Sequence, residues 1–75
     1  MDNSKNKIKS QYVESGGNMI IGNILETKTI TKDGKSVKVT IYEREGEYFV
    51  NRDKDLIGRW LDYKNALSQF NKEVE

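Results

Sequence analysis

Hydrophobic and polar positions change their rhythm along this chain, and the changes mark out its elements. From Tyr63 onward, the apolar residues Tyr63, Ala66, Leu67, Phe70 and Val74 recur at i, i+3, i+4, i+7 and i+11. That is one stripe on a helical period. Lys64, Asn65, Ser68, Gln69, Lys72 and Glu73 fall on the other faces. The spacing predicts an amphipathic helix over 62–75. Asp62 is placed as its N-cap, with a carboxylate able to accept a first-turn amide hydrogen.

Upstream the rhythm is that of strands. Met19 to Thr31 is rich in Ile and Thr, and Lys32-Asp33-Gly34-Lys35 is a hairpin signal. Val37, Val39 and Ile41 alternate strictly within Ser36 to Arg44. Glu45-Gly46 predicts a second turn, and Glu47 to Arg52 a further strand. Asp53-Lys54-Asp55 predicts a third turn, and Leu56 to Leu61 a short last strand. Spacings this short permit only antiparallel neighbours, because parallel pairing needs a crossover of about a dozen residues or more. Residues 1–18 are mostly polar and end in Gly16-Gly17-Asn18. They read as a tail, or as a short helix capped by Ser4, carrying Ile8 and Tyr12 on one side and ended by Gly16. The expected fold is α+β: a three- to four-stranded antiparallel meander over 19–75, with one C-terminal helix packed on one face.

Turn lengths fix which side chains share a face. A two-residue turn at Glu45-Gly46 pairs Tyr42 with Phe49 and Ile41 with Val50. One face then carries Val37, Val39, Ile41, Tyr48 and Val50, the better core. The other carries Lys38, Thr40, Tyr42, Arg44, Phe49 and Asn51. A two-residue turn at Asp53-Lys54 adds Ile57 and Leu61 to the first face, and Gly58 and Trp60 to the second. A three-residue loop at Lys32-Asp33-Gly34 sets Leu25 opposite Ile41. A one-residue slip anywhere inverts everything beyond it.

Composition narrows the chemistry. Seventy-five residues make one domain, which buries only about 60% of its unfolded surface. A core that small leaves no room for a deep substrate cavity. The chain has no Cys and no His, which excludes disulfides, thiolate or imidazole metal sites, and the Ser-His and Cys-His constellations. Thirteen basic and twelve acidic residues give a net charge of +1, without the clustered excess that marks a nucleic-acid footprint. Lys5, Lys7 and Lys9 read as a solubilising tail. No apolar run approaches membrane-spanning length and no apolar leader is visible at the start, so a cytoplasmic location is expected.

Asn51, Asp53, Asp55 and Asp62 have the spacing of calcium-loop ligands, but Leu56 stands where the loop needs Gly. Glu43, Glu45 and Glu47 flank a solvated turn, with no cleft to raise a carboxylate pKa. No catalytic residue, cofactor, metal or small-molecule substrate is therefore expected.

The constellation with most promise is Tyr42, Phe49 and Trp60, with Lys38 and Arg44 beside them on the face away from the helix. Tyr, Trp and Arg dominate protein hot spots, and aromatics among basic groups on a sheet can stack bases. The bland reading has Ile8, Tyr12 and Val13 fold over that face to form a second small core. Gly58, Trp60 and Asp62-Tyr63-x-x-Ala66, opening a helix after a hairpin, are loosely similar to small sheet-plus-helix domains. The arm-type DNA-binding domains of phage integrases are one such family. The similarity covers 36–75 and lacks their basic excess, so no function is carried over. The expectation is a non-enzymatic regulator or inhibitor from a phage or mobile element, for example an anti-CRISPR protein. It would bind a larger bacterial protein through Lys38, Tyr42, Arg44, Phe49 and Trp60. The alternative is a nucleic-acid-binding accessory domain using the same face.

Overall fold

The computed structural model describes residues 11–75. Ser4, Ile8 and the Lys5–Lys9 run lie outside the described residues. Five strands follow one another: β1 (Gln11–Ser15), β2 (Asn18–Lys32), β3 (Lys35–Arg44), β4 (Glu47–Arg52) and β5 (Asp55–Trp60). One helix, α1 (Tyr63–Glu73), ends the chain. Each strand pairs antiparallel with its sequence neighbour, so sheet order repeats chain order. The class is α+β as expected, with five strands in place of three or four. The extra strand is β1, so Gln11–Ser15 belongs to neither a tail nor a helix. Gly16 and Gly17, at φ 60° and 85°, make a two-residue turn that sets Ser15 opposite Asn18.

Asp33-Gly34 and Glu45-Gly46 are also two-residue turns with both φ values positive. That geometry matches the right-handed twist of the flanking strands. Lys32 therefore pairs with Lys35, and the three-residue loop is corrected to two residues. Leu25 does not face Ile41; it is the extra residue of a β-bulge, and Glu26 faces Ile41.

The helix-side core is the one the alternation predicts. Val39, Ile41, Val50, Ala66 and Phe70 are buried together, with Ile30, Val37, Tyr48, Trp60, Leu67 and Val74 packed around them. Burying each large apolar side chain there contributes about 1.5–3 kcal/mol. Asp62 has the extended backbone of an N-cap, and its carbonyl accepts the Ala66 N–H at 3.2 Å. Its carboxylate makes no capping bond and stays in solvent.

The sheet curls because β2 serves two partners. Residues 18–22 pair with β1 and residues 23–32 with β3. The β1–β2 hairpin is carried over the face away from the helix. There Gly16 N–H donates to the Lys54 carbonyl at 2.8 Å, and Asn51 Nδ2 donates to the Glu14 carbonyl at 2.8 Å. Val13, Ser15, Thr40, Tyr42 and Asn51 are buried there. Among the described residues no helix is long and apolar enough to cross a membrane.

Candidate functional site

Tyr42 is 1% exposed. Its ring stacks on Phe49, with centroids 5.0 Å apart and planes 14° from parallel. The backbone of Gly22 lies against it: a Cβ there would stand 3.1 Å from Tyr42 Cδ2 and 3.2 Å from the Glu43 carbonyl oxygen. Tyr42 is thus core, which corrects the expectation of an exposed ring. Part of the cover comes from Gly22, and Val13, which the bland reading named, is buried on the same side together with Ser15, while Tyr12 points out to solvent.

Trp60 does not share that face. In β5, Arg52 faces Asp55 and Asn51 faces Leu56, but Val50 then faces Gly58, leaving Ile57 as an extra residue. One inserted residue inverts the strand beyond it. Gly58 and Trp60 move to the helix side, where Trp60 faces Tyr48 and packs on the core. Ile57 and Leu61 are exposed and do not join the core as expected. Gly58 makes room for Trp60: a Cβ at Gly58 would sit 2.7 Å from Trp60 Cη2.

Lys38 and Arg44 do lie on the predicted face and are exposed. Six positions of extended chain separate them by about 20 Å, so they form no single basic patch. Arg44 comes within 3.9 Å of Glu45, both solvent-exposed, a contact that contributes little. The five nominated residues therefore divide into a stack of buried Tyr42 on half-buried Phe49, two separated cations and an indole on the opposite face.

Large apolar side chains are exposed at several places, among them Leu25, Leu56, Leu61 and Tyr63, and three of them share the outer side of the β1–β2 hairpin. Tyr12 faces Ile21, and Glu14 faces Met19. Tyr12 is 65% exposed, Met19 57% and Ile21 51%, a concentration of large apolar side chains on one hairpin face. Beside Tyr12 lies a cleft of about 240 Å3 whose walls include Ile24, Lys38 and Asp53. Glu14, which also lines it, comes within 3.8 Å of Lys54. Sequence reasoning missed this surface by taking Gly16-Gly17 as punctuation. A Gly-Gly pair between Tyr12-Val13 and Met19-Ile20-Ile21 is itself a hairpin signal.

The electrostatics are quiet. Glu43 is held below the usual carboxylate range, first by the Asn23 side-chain amide at 3.0 Å and then by the Gly46 N–H at 2.9 Å. The residues at calcium-loop spacing have other work: Asn51 binds the Glu14 carbonyl, and the Asp53 carboxylate accepts the Lys38 N–H at 3.0 Å. Among the described residues no group of three or more acidic side chains is placed to hold a metal ion. Comparison with protein-family models, curated proteins and solved structures finds no match.

Proposed function

We propose that this chain is a non-enzymatic binding protein, a small regulator or inhibitor that acts by occupying a surface of a larger protein. Its contact face is the outer side of the β1–β2 hairpin. The observation that carries the reading is the exposure of Tyr12, Met19 and Ile21 on that face. Side chains of this kind concentrate in protein interfaces, and clustered apolar exposure marks interaction sites. The absence of His and Cys and the balanced charge support a partner that is neither a substrate nor a polyanion. The aromatic sheet face offers less to a nucleic acid than the sequence suggested, because Tyr42 has no exposed ring face for a base.

Site-specific photocrosslinking tests this. A photoreactive phenylalanine replaces Tyr12, Ile21 or, as a control, the exposed Lys64 of α1. Each variant is irradiated in bacterial lysate at low salt and at roughly 0.5 M salt, where phosphate-dominated contacts fail. Discrete protein adducts at 12 and 21, retained at high salt and missing at 64, support the proposal. Nucleic-acid adducts, or equal labelling at all three positions, refute it.

A further inference from the structure

The outer side of β2 beyond Gly22 pairs with no strand among the described residues. The β1 ladder ends at Gly22, and β3 occupies the inner side. We propose that this edge pairs with the same edge of a second copy of the chain, antiparallel, about a two-fold axis at Thr29.

The backbone of Lys38 shows which groups of β2 are free. Its carbonyl accepts the Asp53 N–H at 2.7 Å, and its own N–H donates to the Asp53 carboxylate at 3.0 Å. Both groups therefore point away from β2. Lys38 faces Thr29 across the β2–β3 ladder. Facing residues in an antiparallel pair point their amides either at each other or both away. The N–H and C=O of Thr29 thus point outward. The ladder from Glu26 to Lys32 is regular, so period two turns the backbones of Thr27 and Thr31 outward as well. Three β-branched residues, well suited to strands, carry donors and acceptors that pair with no strand among the described residues, as on an open edge.

Charge selects the register. With the axis at Thr29, Thr29 faces its copy and Thr27 faces Thr31 of the other chain. Each facing pair exchanges two backbone hydrogen bonds. On the opposite side of the new sheet Glu26 meets Lys32, and the stem of Lys28 lies on Ile30. Opposite charges facing across strands stabilise, and like charges destabilise. Shifting the axis by one residue brings Lys28 against Lys28 or against Lys32. Larger shifts run into the bulge at Leu25 or off the Asp33-Gly34 turn. The pairing is self-complementary and closed, so it ends at two copies. It is separate from the Tyr12, Met19 and Ile21 face.

Sedimentation velocity on the full chain between about 10 µM and about 1 mM tests it, a range that resolves weak dimers. The wild type should pass from one chain to two. Thr29→Pro removes only an outward N–H, a change edge strands tolerate; it should remain single with an unchanged circular dichroism spectrum. Glu26→Lys should weaken the dimer about tenfold or more, and Glu26→Lys combined with Lys32→Glu should restore it. A wild type that stays single to 1 mM overturns the proposal. So does a dimer that survives Thr29→Pro in folded protein, or a charge swap that fails to rescue. If Thr29→Pro does not fold, the charge swap alone decides.

Discussion

The two faces of this sheet are covered by different means. On the helix side, Val39, Ile41, Val50, Ala66 and Phe70 form an apolar cluster without a buried polar side chain. On the hairpin side, Thr40, Ser15 and Asn51 are buried beside Tyr42 and Val13, and two long-range hydrogen bonds hold the cover down. Asn51 Oδ1 remains buried there without a partner. The first face is held by contact area, which has no direction. The second is held by aimed bonds, which fix the hairpin's angle but stabilise less. A sheet can thus keep one rigid face and one whose cover is fastened at a few points.

Four measurements would break or sharpen that contrast. Phe70→Ala should have the largest effect, about 3–5 kcal/mol, because it empties the centre of a well-packed cluster. That is a large part of a small domain's stability, and a chemical-denaturation midpoint would show it. An unchanged midpoint would mean that α1 does not close the core. Asn51→Ala should cost about 1 kcal/mol, by removing the part-buried bond to the Glu14 carbonyl. Limited proteolysis should then cut first within β1–β2, with Trp60 emission unchanged. A simultaneous loss at Trp60 would show the two faces to be one cooperative unit.

Gly58→Ala should cost about 1 kcal/mol as overpacking. The new methyl displaces the Trp60 ring, and indole emission should shift to the red. An unaltered spectrum would place the ring elsewhere. The smallest effect is that of acid on Glu43. Its folded pKa lies below the unfolded value, which is near 4. Its contribution is therefore present above about pH 4 and lost as pH falls through the depressed folded value. Stepped-pH melts should show a shallower acid limb for Glu43→Gln and for Asn23→Ala. An identical limb in both variants would mean that neither bond favours the charged form.

The helix-side core was legible in the sequence because its signals are periodic and local. The stripe of Ala66 and Phe70, the alternation of Val37, Val39 and Ile41, and the turn at Glu45-Gly46 each determine structure within a few residues. The five nominated residues did not come together on one face because the placement of Trp60 depended on counting residues through β5. Nothing about Leu56-Ile57-Gly58 announces a bulge, yet one extra residue carried Trp60 to the other side. Leu25 shows the same limit in β2. Burial of Tyr42 was legible only as one of two readings, since it depends on docking by residues some thirty positions earlier. The exposed Tyr12 and Ile21 were readable in principle, through alternation around Gly16-Gly17.

The meander order has a kinetic consequence. Every described strand pairing joins consecutive strands across a two-residue turn. Each ladder can therefore zip outward from its own turn and close only short loops, at little entropic cost. The described hydrogen bonds that close the longest loops are the tie from Glu14 to Asn51 and that from Gly16 to Lys54, 37 and 38 residues apart. These contacts should form after the β2–β3–β4 ladders, on the downhill side of the folding barrier. Substitutions at Asn51 should then accelerate unfolding and leave the folding rate nearly constant, whereas changes at Ile41 or Val50 should slow folding.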